Sequence, residues 1–163
     1  MIARAFAIAA AFLAIAATGA CRDRADDGAG AAGPRATAER LLELHGLLGR
    51  QPEELTPEQK GATVDRAAVA GLVADLGAYD EFTGDLYVGF VVGALAEQQG
   101  RWTTAMDGAR ALIAAGNARI LFVRRNGAWK VDLAASVPDV IKERAAEEKI
   151  RYEAAKAAGQ GLR

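Results

Sequence analysis

Between residues 102 and 133, large apolar side chains fall at alternate positions, and three dipeptides that favour tight turns break the run. These are Asp107-Gly108, Gly116-Asn117 and Asn126-Gly127. Asp-Gly and Asn-Gly suit type I′ turns, and Gly-Asn suits type II′, because each needs positive φ where glycine or asparagine stands. The pattern predicts four antiparallel strands, 102–106, 109–115, 118–125 and 128–133, joined as a meander. Two-residue turns pair Arg124 with Trp129, Phe122 with Val131, Ile120 with Leu133, Ile113 with Ile120, Ala111 with Phe122 and Trp102 with Ile113. One face then collects Trp102, Met106, Ile113, Ile120, Phe122, Trp129, Val131 and Leu133. The other collects Thr103, Arg110, Leu112, Arg119, Leu121, Val123, Arg125, Lys130 and Asp132. One register sorts all three turns into an apolar and a mixed face, as a half-buried antiparallel sheet requires.

Upstream, the apolar period changes to that of helices. Residues 37–50 read as a helix capped by Thr37, with Leu41, Leu44, His45 and Leu48 on one stripe. A second helix starts within 63–65 and carries Val64, Ala68, Leu72, Val73 and Leu76. Residues 80–97 are open to two readings. Phe82, Leu86, Phe90 and Ala94 recur every fourth position, the helical signal, and the helix is the preferred reading. Yet residues 86–92 are rich in strand formers, and each glycine at 84, 89 and 93 costs a helix ~1 kcal/mol against alanine. In a helix, Gly89 and Gly93 would offer a flat face for close packing. After the meander, Ser136 followed by Asp139 fits a capping box for a helix to about residue 158, with Val137, Val140, Ile141, Ala145 and Tyr152 inward. The pairs Arg144 with Glu148 and Glu147 with Arg151 support its wet side. Helices, then a meander, then a closing helix predict an α+β domain, its N-terminal helices packed on a four-stranded antiparallel sheet.

The chain begins differently. Arg4 is the only charge before Cys21, and the alanine-rich apolar run between them shortens into Gly19-Ala20-Cys21. A basic start, an apolar stretch and small residues before a cut site form a secretory signal over 1–20. A retained membrane helix is the competing reading, and the run is near the lower limit of a span. Cys21 is the only cysteine, so no internal disulfide exists. Its position resembles a bacterial lipoprotein signal, although Thr18 stands where leucine is usual; an ordinary cut with an incidental cysteine is the alternative. The resemblance implies a lipid on Cys21 and export to the periplasmic or cell-surface side of a membrane. Residues 21–35 lack large apolar side chains and read as a flexible leash. A single domain over 36–158 follows, with a frayed tail at 159–163.

The whole chain has a net charge of −1, which gives no basic excess for a nucleic-acid surface. His45 is the only histidine, so no His-pair metal site is available. Asp75, Asp80, Glu81 and Asp85 cluster without the alternating ligand pattern of a calcium loop, and a solvated acidic turn is the expectation. No cofactor motif is present. The second sheet face is tinted positive by Arg110, Arg119, Arg125 and Lys130. Either that face or the charged C-terminal helix is a candidate surface for an envelope protein partner.

The segment Phe122-Val123-Arg124-Arg125-Asn126-Gly127-Ala128-Trp129-Lys130-Val131-Asp132-Leu133 resembles the final hairpin of the nuclear transport factor two-like (cystatin-like α+β) superfamily. That resemblance implies a curved sheet wrapped round helices, in some members leaving a cavity. His45, Tyr79, Tyr87, Trp102 and Trp129 are then candidate cavity residues, His45 as an acid or base at the mouth. No active-site residue carries over, because nothing beyond the hairpin matches. Two functions are therefore expected: a membrane-tethered, non-enzymatic binding or accessory module, or a small-ligand binder or isomerase-like enzyme using the cavity.

Overall fold

The computed structural model describes residues 33–54 and 64–159. The expected signal, Cys21, most of the leash and residues 160–163 lie outside the described residues. The described residues belong to one compact unit. The chain folds as an α+β domain, and every element except the one-turn α4 stands in the expected order: helices α1 (Pro34–Leu44), α2 (Arg66–Leu72) and α3 (Glu81–Glu97), strands β1 (Thr103–Asp107), β2 (Arg110–Ala115), β3 (Ala118–Arg125) and β4 (Ala128–Val131), then α4 (Leu133–Ser136) and α5 (Asp139–Ala157). Short 3₁₀ turns occupy Pro52–Glu54 and Leu76–Ala78.

The sheet is an antiparallel meander in the order β1-β2-β3-β4. Two of its registers match the pattern read from the turns. Ile113 faces Ile120, Ala111 faces Phe122, Phe122 faces Val131 and Arg124 faces Trp129. Gly116 alone has positive φ in its turn, as type II′ demands, whereas Asn126 and Gly127 both do, as type I′ demands. The first hairpin differs. Its turn residues are Gly108 and Ala109, so Thr104, not Trp102, faces Ile113. Placing Gly108 first gives it the lone positive φ (57°) of a type II′ turn and keeps Asp107 extended, opposite Arg110. Opposite charges across the ladder favour that register. The shift is two residues, so no side chain changes face.

The inner face buries Ala111, Ile113, Ala115, Ile120, Phe122, Trp129 and Val131 against α1, α2 and α3. Met106, expected inward, is 53% exposed because β1 overhangs the helical layer. Leu133 is fully buried, but in α4 rather than as a strand partner of Ile120. The outer edge of β4 is extended by Val73, which bridges Val131 in parallel, and Ala74 N–H donates to the Val131 carbonyl at 2.8 Å.

Several helix boundaries depart from the pattern reading. Pro34 opens α1, where a missing N–H costs nothing, so Pro34 and Arg35 belong to the helix rather than the leash. Thr37 is no cap; it is buried, and its hydroxyl donates to the Trp129 carbonyl at 3.1 Å. Leu41 and Leu42 are the fully buried pair of α1, while Leu48 lies beyond the helix and is 47% exposed. Ser136 ends α4 instead of capping α5, and Pro138 stands at the α5 N-cap with no side-chain bond. Val140 faces solvent.

Residues 81–97 are helical throughout. Asp80 caps this helix, accepting from Thr83 N–H at 3.1 Å. The fully covered side is Tyr87, Val88, Val91, Val92 and Leu95, and the Phe82-Leu86-Phe90-Ala94 row is only half-buried. With both rows shielded, the helix has no polar stripe to betray its period. Gly89 and Gly93 do not form a packing face, since a Cβ at either would meet nothing within 4 Å. Gly89→Ala should therefore stabilise the domain by up to about 1 kcal/mol through helix propensity alone, read as a raised urea midpoint. Gly84 is the crowded one: a Cβ there would lie 3.1 Å from both Arg66 Nη2 and Leu76 Cδ1.

Candidate functional site

The structure brings together two of the five candidate cavity residues. Tyr79 and Tyr87 meet edge to face with ring centroids 5.0 Å apart. Tyr87 projects from the buried side of α3, and Tyr79 follows the 3₁₀ turn at Leu76–Ala78. Trp102 and Trp129 stand at opposite edges of the sheet, one just before β1 and the other in β4. The Trp102 indole N–H donates to the Leu95 carbonyl at 3.0 Å, and Arg35 lies over its ring at 5.9 Å. His45 closes the C-terminus of α1, where Nδ1 sits 2.8 Å from the Leu41 carbonyl. That contact is typical of a helix end, whose last carbonyls lack backbone donors.

Beside the tyrosines lies a polar cluster organised by Asp75. Its Oδ1 accepts from Leu133 N–H and its Oδ2 from Ala134 N–H, both at 2.9 Å. Asp132 Oδ1 accepts from the next amide, Ala135, at 3.0 Å. Two carboxylates from distant parts of the chain thus satisfy the first three amides of α4. A one-turn helix cannot satisfy those groups itself. The Tyr79 hydroxyl donates to Asp75 Oδ2 at 3.3 Å. Burial pushes the Tyr79 phenol up to about 12, with the nearby Asp75 carboxylate adding to the effect. Ser136, buried at the other end of α4, accepts from Leu121 N–H at 2.9 Å and donates to the Asp132 carbonyl at 2.6 Å. The cluster fastens the β4–α5 connection to the helical layer.

Asp80 and Asp85 have separate partners. Asp80 holds the α3 N-terminus and pairs with Lys149 of α5 at 3.0 Å. The Thr83 amide, with Lys149 next, draws its carboxyl down to about 2. Asp85 pairs with Arg66. Among the described residues no group of three or more His, Cys, Asp or Glu side chains is placed to hold a metal ion. No buried side-chain polar atom there is left without a partner. Sequence reasoning missed the role of Asp75. The only signal was its place in an acidic turn, which says nothing of a partner helix 58 residues downstream.

α5 packs on α3 through the stacked rings of Phe82 and Tyr152, 5.2 Å apart. Its expected pairs form: Arg144 with Glu148 at 3.2 Å and Arg151 with Glu147 at 3.9 Å. Val140 and Ile150 remain exposed on this helix. The outer face of the sheet carries Arg110, Arg119, Arg125 and Lys130 around Leu112, Leu121 and Val123, and no residue of it is fully buried. Among the described residues no helix is long and apolar enough to cross a membrane. The chain matches no family model, no curated protein and no solved structure.

Proposed function

We propose that this chain is a membrane-tethered lipoprotein of the bacterial envelope whose α+β domain serves as a non-enzymatic binding or accessory module. The observation that carries the reading is Cys21: the sole cysteine of the chain, set directly after an apolar run that opens with one basic residue and closes in Gly19-Ala20. A diacylglyceryl thioether at that sulfur would hold the domain at a membrane through the segment that ends at Gly33. One acyl chain binds reversibly and two bind firmly, so a diacylated cysteine is a sufficient anchor. The polar side chains of the domain's interior support a binding role over a catalytic one. Asp75, Tyr79, Ser136 and the Trp102 indole are engaged in holding backbone groups and each other, and a group so engaged is not poised to move a proton on a substrate.

The test is fractionation of cells that express the full chain. Wild-type protein should sediment with membranes, and Cys21→Ser should shift it to the soluble fraction. Continued sedimentation of the variant would overturn the lipid anchor and assign attachment to a retained apolar segment over residues 5–17.

A further inference from the structure

The charges of the domain are sorted by layer. The described residues of 33–100, which supply the helices on the inner sheet face, hold ten carboxylates and four cations. Residues 103–131, the sheet and its turns, hold five cations and one carboxylate, Asp107. Strand alternation sends four of those cations outward, together with Asp107, which stands opposite Arg110. Arg110 faces Val123, which faces Lys130, and Arg119 and Arg125 lie on the same side of β3. None of the four forms a salt bridge among the described residues.

The layout of the face selects its partner. Ala105, Leu112 and Leu121 form one row across three strands, with Ala114 and Val123 on either side, all half-buried. Arg110, Lys130 and Arg125 gather round Val123 at one end of the face, and Arg119 stands at the other. Arg119 and Arg125 are about 20 Å apart at the strand rise. A linear acidic peptide laid across the strands at Val123 would miss Arg119, whereas a plane of anionic headgroups meets all four. Long cationic side chains reach headgroups while small apolar side chains sit at the boundary. The acidic layer on the reverse adds direction, since a field from an anionic surface draws the sheet in and turns the helices away.

We propose that the outer face of the sheet, through Arg110, Arg119, Arg125 and Lys130, lies flat on an anionic phospholipid surface. The proposal rests on the tether reading for the nearness of that surface, not for the contact itself. The experiment uses residues 31–163, which contain every buried core residue among those described, so no acyl chain takes part. The probe is co-sedimentation with vesicles of phosphatidylcholine alone or with about one third phosphatidylglycerol.

Binding is expected to the anionic vesicles only, weakening as salt is added. Each neutralised cation should lower the partition coefficient about fivefold, so Arg119→Gln with Arg125→Gln should lower it about 25-fold. Glu39→Gln, on the opposite layer, should leave it unchanged. Equal sedimentation with both vesicle types, or with neither, overturns the proposal. Tighter capture by soluble polyglutamate than by anionic vesicles also overturns it and assigns the face to an acidic polypeptide. Because Cys21 is absent from this experiment, its failure leaves the anchor standing, and release of the Cys21→Ser chain is scored separately.

Discussion

Replacing Phe122 with alanine should cost the domain about 3–5 kcal/mol, the range for a fully buried phenylalanine. Phe122 has no exposed surface, and it stands mid-sheet with Ala111 on one side and Val131 on the other. Both neighbours are themselves buried and smaller than the ring, so they cannot fill the space it leaves. Domains of this size are held by only about 5–15 kcal/mol, and the variant should lie close to unfolding at room temperature. Urea denaturation followed by far-ultraviolet circular dichroism reads the loss as a shifted midpoint. Met106→Ala supplies the contrast. It removes a large apolar side chain of the same sheet that is half in water, and should change stability by no more than about 0.5 kcal/mol. If the two variants unfold alike, the core is not centred on the inner face.

The second large effect is expected at Asp75. Asp75→Ala strands the Leu133 and Ala134 amides and the Tyr79 hydroxyl at once. Ala134 is exposed and can turn to water, but Leu133 is fully buried. Charged hydrogen bonds of this kind contribute about 1.5–3 kcal/mol each at most, and partial rescue by water brings the expected loss to about 2–3 kcal/mol. Asp75→Asn should fall between, because its amide oxygen still accepts one bond. The phenol supplies an independent readout. Without the carboxylate, the Tyr79 pKa should fall from about 12 toward its ordinary value of 10, stopping short because burial is the larger cause. Ultraviolet titration of tyrosinate follows it. The sign of the linkage is fixed by the same shift. The folded state holds this proton more tightly than the unfolded chain, so the contribution is whole below pH 10 and is lost as pH rises toward 12. A variant with unaltered stability and an unmoved phenol would remove Asp75 from the cluster.

The parts of the fold that were legible share one property: their cause is local. Asn126-Gly127 and Gly116-Asn117 dictate their turns by backbone sterics within two residues, and alternation then fixes the pairings of β2, β3 and β4. The first hairpin misled because Gly108 serves two different turns, as the second residue of one or the first of the other. In the structure Asp107 stands opposite Arg110, so Gly108 is the first residue of its turn. Among the candidate residues, burial of Trp129 followed from its place in the sheet, whereas Thr37 and Ser136 look like caps in sequence and are buried, Thr37 donating to the Trp129 carbonyl and Ser136 accepting from Leu121 N–H. Tyr79 and Tyr87, eight residues apart on different elements, are neighbours only because a 3₁₀ turn folds against α3.

By itself, then, the sequence determined the α+β class, the order of the elements, the face each strand presents to the core, and the cationic tint of the other face. Periodicity and turn chemistry act within a few residues, and a chain obeys them before it is compact. The tertiary structure alone decided that the helix at 81–97, the preferred reading of the sequence, is covered along two rows, that β1 overhangs the core, and that Asp75 holds the first amides of α4. Each of these depends on which surfaces meet between elements or on a carboxylate finding amides beyond its own turn. Such contacts form only when the unmet polar groups of one segment are buried against another, and nothing in the spacing of either segment records the encounter.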